Sequence, residues 1–225
     1  MALLNRILSS FLPSRYTEYM STGSSSPLVA IEYVVVQPQT TLVGSVTPAS
    51  IASLRREVTI QAQGEDVELF DGMSPLTAAL SFAAVYDIAD EAVLRIRNGP
   101  LVLLFDHQPK EILRPEEVDE TIWAEMLKVK NKSVAVQDIS APAPETVIDL
   151  VALWSRAQEH DDIVARTRRF IKSLVRALEP AMTVRLRGEI PDLPLLSAIY
   201  LVRPYGHTVL FEDAHGGSVT LFPNL

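Results

Sequence analysis

A chain of 225 residues with 48% hydrophobic and 21% charged side chains is long and apolar enough for one large globular domain or two small ones. Its 28 acidic residues against 20 basic ones give a formal net charge of -8, which argues against a general nucleic-acid binder, because affinity for phosphate comes from clustered Lys and Arg. With no cysteine, disulfides, thiolate catalysis and Cys-ligated metal centres are excluded, and no run reaches the roughly 18 consecutive apolar residues that span a bilayer.

The first fifteen residues, MALLNRILSSFLPSR, are free of acid and amphipathic. Leu3, Leu4, Ile7, Leu8, Phe11 and Leu12 gather on one side of a helix, with Asn5, Arg6, Ser9 and Ser10 on the other. An isolated helix this short is marginal in water, so its apolar face needs a membrane surface, a partner protein or the chain's own body. Leu4, Ile7, Leu8, Phe11 and Leu12 are therefore the candidate membrane or partner contacts. Ser21 to Ser26 reads as a polar linker, which makes residues 1–26 an arm and residues 27–225 a single domain with a candidate subdivision near 140–145. Two arginines are few for a mitochondrial presequence, so the expected location is cytoplasmic or membrane-peripheral.

Along the body, Leu28 to Val36 and Thr40 to Val46 read as strands. Val58 to Ala62 and Val67 to Phe70 flank Gly64-Glu65 and suggest a hairpin. Ser74-Pro75 opens a helix that runs to Tyr86 or Asp87. Val93 to Ile96 and Leu101 to Phe105 form a strand pair turning at Asn98-Gly99. Pro115 to Lys130 reads as a helix, acidic at its start and basic at its end, the order the helix dipole favours. Val134 to Ile139 reads as a strand before the stiff Ala141 to Pro144. Glu145 to Leu178 is the longest helical segment, with a break near His160 to Asp162, where Asp caps a second helix. Met182 to Leu186 and His207 to Phe222 are mostly strand, and Leu195 to Val202 is open between helix and strand. The mixed order, without βαβ regularity or an internal repeat, gives an α+β class. Ile31, Val58, Ile60, Leu80, Phe82, Leu103, Trp154, Leu174 and Val209 are the expected core.

The strongest charge feature of the body is IVARTRRFIKSLVRAL, Ile163 to Leu178, with five cations and no acid. Arg166, Arg169, Lys172 and Arg176 fall near one face of that helix and are the candidate contacts to an anionic partner: lipid, RNA backbone or an acidic protein patch. The alternative is an ordinary solvated outer face. His207, Glu212, Asp213 and His215 are the closest ligand-like grouping, but strand alternation scatters them and a turn at Asp213 to Gly217 is simpler. No nucleophile elbow, phosphate loop or dinucleotide fingerprint accompanies Asp106-His107. The expectation is a non-enzymatic protein without metal or cofactor.

Several pieces in order resemble the matrix proteins of rhabdovirus-type negative-strand RNA viruses: MALLNRIL at the start, the strand EVTI (Glu57 to Ile60), a helix ending in SFAAVY (Ser81 to Tyr86) and the strand GPLVLLF (Gly99 to Phe105). Those proteins are usually basic and often carry a budding motif that this chain lacks. The resemblance implies a structural protein that associates peripherally with membrane, self-associates and bridges to a nucleocapsid within a virion, without sequence-specific nucleic-acid binding. The competing class is a soluble adaptor or chaperone-like module whose N-terminal helix docks on a protein, with an uncharacterised enzyme as the third reading.

Overall fold

Thr47 sets the first helix of the body. In the computed structural model, which describes residues 31–107, 114–115, 117–134, 143–157, 162–179 and 181–223, the Thr47 side chain accepts from the Ser50 amide while the Ser50 hydroxyl accepts from the Thr47 amide. This capping box and Pro48 in the first turn start helix α1, Pro48–Ala62, which buries Leu54, Val58 and Ala62 at four-residue spacing. Gln63 and Gly64, with φ of 48° and 78°, end it. The strand and hairpin expected around Val58 to Ala62 are therefore a helix end, because burial at helical spacing outweighs the β-branched character of Val58, Thr59 and Ile60. Glu57 to Ile60, one of the pieces carrying the matrix-protein resemblance, is helical for the same reason. Ile60, an expected core residue, faces out and is 57% exposed.

Three further expectations change. Leu28 to Val36 contracts to a short strand β1, Val34–Val36, within the described residues. Thr40 to Val46 forms no strand; its amides are taken by side chains, Thr40 donating to Glu57 (3.1 Å) and Leu42 to the Thr77 hydroxyl (2.8 Å). The segment expected to be helical from Glu145 begins as a strand.

The remaining elements are β2 Val67–Phe70, α2 Pro75–Tyr86, β3 Glu91–Arg95, β4 Leu101–Asp106, β5 Val118–Asp119, α3 Thr121–Val134, β6 Ala143–Asp149, α4 Leu150–Ser155, α5 Ile163–Ala177, β7 Ala181–Arg187, α6 Asp192–Val202, a 3-10 turn Arg203–Tyr205, β8 Gly206–Glu212 and β9 Ser218–Phe222. Helix α3 starts six residues later than expected, because Asp119 and Glu120 are engaged ahead of it, Asp119 with the Thr121 amide (2.8 Å) and Glu120 with Arg114 (2.8 Å). Val134 ends that helix rather than opening a strand, and residues 135–139 lie outside the described residues. Asp162 caps α5 as expected, accepting from the Val164 and Ala165 amides.

The strands form two sheets, in the orders β1-β2-β3-β4-β5 and β6-β7-β8-β9. In each, three parallel strands joined by helices are followed by an antiparallel one: β1, β2, β3 then β4, and β6, β7, β8 then β9. Mixed sheets with packed helices give an α+β protein, but one built twice from the same βαβαββ unit, so the expectation of no internal repeat is corrected at the level of topology.

The correspondence holds residue by residue. Arg95 pairs with Leu101, and 117 positions later Glu212 pairs with Ser218. Both hairpins shift register at the same place, between Ala92 and Val93 in one and Val209 and Leu210 in the other. Val67, Leu69, Leu76, Val85, Val102, Leu104 and Phe105 meet identical residues at Val184, Leu186, Leu193, Val202, Val219, Leu221 and Phe222, and all fourteen are buried. Few residues coincide elsewhere, which hides the repeat from inspection of the sequence.

The helices α2 and α6 occupy equivalent places, pack against each other and join both units into one core. They carry apolar residues on all sides, the pattern of a helix enclosed by protein. Most of α2 and all of α6 are buried. At one end of this seam Tyr86 lies edge-on to both Phe105 and Phe222, with centroids 5.2 and 5.5 Å away.

The outer faces differ. On the first sheet Val93, Leu101 and Leu103 are covered by Tyr33, Val118 and Trp123. Their counterparts on the second are Leu210, Ser218 and Thr220, two of them polar and exposed, as suits a face that the described residues leave open.

Candidate functional site

Helix α5 buries Val164, Thr167, Phe170, Ile171 and Leu174. At 100° per residue the opposite arc holds Arg168, Lys172 and Arg176 at four-residue spacing, with Arg169 beside them, and all four are exposed. Three of the four expected contact residues, Arg169, Lys172 and Arg176, are therefore in this row. Arg166 faces elsewhere: its guanidinium lies 3.9 Å from the centroid of the Trp154 ring and donates to the Trp154 carbonyl (3.3 Å), tying α5 to the end of α4. Arg168, which is not among the four expected contacts, belongs to the row instead, because i, i+4, i+8 keeps it in line with Lys172 and Arg176.

Lys172 lies 3.5 Å from Glu125 of α3, so one acid offsets part of the row. One turn further along α3, Lys128 is exposed on the same helix side as Glu125. The positive surface thus extends over two helices of a protein whose net charge is -8. At physiological salt, charges beyond about 8 Å are largely screened, so an approaching anion meets this local surface rather than the average.

A second concentration of charge closes the first sheet. Arg114 donates to both carboxylate oxygens of Glu91 (3.0 and 2.9 Å), to Glu120 (2.8 Å) and to Asp106. Glu91 and Asp106 are only 2% and 8% exposed and stand opposite each other across β3 and β4. Tyr33 donates its hydroxyl to Glu91. Burial, then the adjacent Glu91, raises the Tyr33 pKa above its ordinary value, so the phenol stays a donor. Burial works against the Arg114 charge, but the Glu91 and Glu120 carboxylates outweigh it and hold its pKa above the usual value. Tyr200, beside Trp123 and Asp106, is pushed up to about 12, chiefly by burial. The cluster anchors the chain leading into α3. A lone arginine between Glu111 and Glu116 in the sequence was the one available signal for it.

A third charged contact lies on the seam, at the start of α6. Asp192, 4% exposed, accepts from the amides of Gly72 (2.7 Å) and Met73 (3.2 Å), in the loop after β2. Burial foremost, with the neighbouring Asp71 adding to it, lifts its carboxyl to about 6 despite those two amides.

Of the other expected positions, Leu4, Ile7, Leu8, Phe11 and Leu12 lie outside the described residues. Asp213 accepts from the His215 and Gly217 amides, which makes the expected turn, and Glu212 pairs with Arg185 (3.6 Å) and Arg187 (3.5 Å). Among the described residues no group of three or more His, Asp or Glu is arranged to hold a metal, and no helix is long and apolar enough to cross a membrane. No family model, curated protein or solved structure matches the chain.

Proposed function

We propose that this protein is a non-enzymatic binding and assembly protein that attaches peripherally to an anionic membrane surface through the outer face of α5. The observation that carries this reading is the exposed row Arg168, Arg169, Lys172 and Arg176 on a helix whose other face is fixed in the core. Each cation beside an anionic bilayer is worth about 1 kcal/mol, so four supply at most roughly 4 kcal/mol, about a thousandfold in affinity before the contacts that Lys172 and Arg169 make within the protein are counted. That is weak for a lone anchor. It becomes useful when the apolar segment Leu3 to Leu12 inserts beside it, or when several copies bind together, since linked weak contacts multiply. A structural role beneath an envelope, as the matrix-protein resemblance implies, is one setting for such a device.

Co-sedimentation of the full chain with vesicles tests the reading. Binding is expected to vesicles containing about a third phosphatidylserine and not to neutral phosphatidylcholine vesicles, and to fall as salt is raised. Equal recovery with both lipids, or none with either, contradicts it. Retention on an acidic protein without vesicle binding favours the adaptor reading instead.

A further inference from the structure

We propose that β6 is an assembly edge, through which two copies of the chain pair antiparallel and join their second sheets into one. Of the four sheet edges among the described residues, three are closed to such pairing. β1 is three residues long, and amides that follow it are held by α1 side chains, Gln37 by Gln61 (2.9 Å) and Thr40 by Glu57 (3.1 Å). β5 has two residues. Along β9 the Arg55 guanidinium donates to the Thr220 and Leu221 carbonyls (3.3 and 2.9 Å). β6 is seven residues long, pairs on one side only, with β7, and holds Val147 at 56% exposure. Such an edge is a template for another strand unless charge or proline blocks it.

Neither block operates over Glu145 to Asp149. Pro144 stands ahead of that stretch. Glu145 accepts from Arg185 of β7 (2.8 Å), and Asp149 accepts from the Ala152 amide (2.8 Å) to cap α4. A strand that adds here must itself have an open edge, and among the described residues the one that remains is β6 of a second copy. Antiparallel pairing centred on Val147 sets Val147 against Val147 and Thr146 against Ile148, which takes the exposed valine out of water and pairs β-branched side chains. Glu145 then faces Asp149, the one like-charged pair, and Arg187, in register with Asp149 on β7, lies beside it. The two-fold axis of such a pair is perpendicular to the sheet, so each face stays continuous and the α5 helices, which lie in the crossovers between β6 and β7, come to the same side. The pairing itself needs no lipid. Its consequence rests on the membrane-attachment reading: two basic rows facing one surface give the linked contacts that a single row lacks.

Sedimentation of the full chain in lipid-free buffer tests this. The wild type is expected to be a weak dimer, largely paired at about 100 µM, as suits a contact made by one strand edge. V147K, which sets two cations against each other at an exposed position, should keep the melting temperature and raise the dissociation constant about tenfold or more. Because the protein has no cysteine, a single introduced one reports proximity: a short bis-maleimide should join V147C into covalent dimers and leave I60C, equally exposed on α1, as monomer. A monomeric wild type, an unchanged dissociation constant in V147K, or equal cross-linking of the two cysteine variants overturns the proposal. Vesicle binding by a monomer would leave the membrane-attachment reading standing while the edge pairing fails, and a dimer that ignores vesicles does the reverse.

Discussion

Replacing Arg114 by Met should be among the most damaging single substitutions in the protein, although Arg114 precedes a helix rather than lying within a strand or helix. The side chain makes three bonds at 3.0, 2.9 and 2.8 Å and a further one to Asp106. Without it, Glu91 and Asp106 face each other across β3 and β4 at 2% and 8% exposure with no counter-charge from that residue. Breaking a buried ion pair by removing one partner costs about 3–5 kcal/mol, a large share of the 5–15 kcal/mol that a folded domain typically has. For a chain of this size each kcal/mol moves the melting temperature by about 2–4 °C, so R114M should melt roughly 6–20 °C lower. Urea and thermal unfolding followed by circular dichroism would measure it. The diagnostic step is a second substitution: adding E91Q to R114M removes one of the stranded charges while keeping an acceptor for Tyr33, and should restore part of the loss. A cost below 1 kcal/mol for R114M, or a further loss on adding E91Q, would show that the cluster is not the electrostatic closure described.

The repeat makes an unusual prediction about paired sites: Phe105→Ala and Phe222→Ala should each cost about 3–5 kcal/mol, within about 1 kcal/mol of one another, in equilibrium unfolding. Asp192→Asn should stabilise the protein at pH 7.5, by up to about 3 kcal/mol for a carboxyl raised from 3.8 to about 6. The sign comes from the raised folded pKa: the contribution is full below about pH 4 and is lost as pH rises through 6, so the gain from Asn should vanish in acid-side melts. Ile60→Ser should change stability by less than about 0.5 kcal/mol, whereas Val58→Ala, two residues earlier on the buried side of α1, should cost roughly 2 kcal/mol in the same assay.

Local signals in the sequence located those elements whose ends carry chemistry. Ser74-Pro75 marked α2, Asp162 marked α5, and Asn98-Gly99 marked the β3–β4 turn, where Asn98 takes a φ of 55°. Errors fell where residue type and burial disagree. Val58, Thr59 and Ile60 are strand-like by composition but helical by the spacing of Leu54, Val58 and Ala62. Glu145 to Asp149 reads as helical in continuity with the Leu150–Ser155 helix, yet pairs with β7. The repeat was illegible because its shared positions are buried valines, leucines and one phenylalanine, which any core would use. Its other positions differ freely: the ion pair of Glu68 and Arg95 (2.6 Å) recurs with the charges exchanged as Arg185 and Glu212 (3.6 Å). Of the anionic-partner candidates, periodicity found the helix but not its exposed arc, since a turn of 3.6 residues places Arg168 and Arg166 on different sides and only the packing shows which side Trp154 occupies.

The most direct measurement is vesicle affinity of the full chain with Arg168, Arg169, Lys172 and Arg176 all changed to Gln, set against Arg166→Gln as a control, over a range of salt concentrations. The quadruple variant should keep the wild-type melting temperature within a few degrees, lose about a hundredfold or more of its affinity for phosphatidylserine-containing vesicles, and show a much flatter salt dependence. Arg166→Gln should do the reverse, lowering the melting temperature through loss of the Trp154 stack while leaving affinity and salt dependence nearly unchanged. If instead the quadruple variant binds vesicles as tightly as the wild type at every salt concentration, the outer face of α5 is an ordinary solvated surface and the membrane-attachment reading fails.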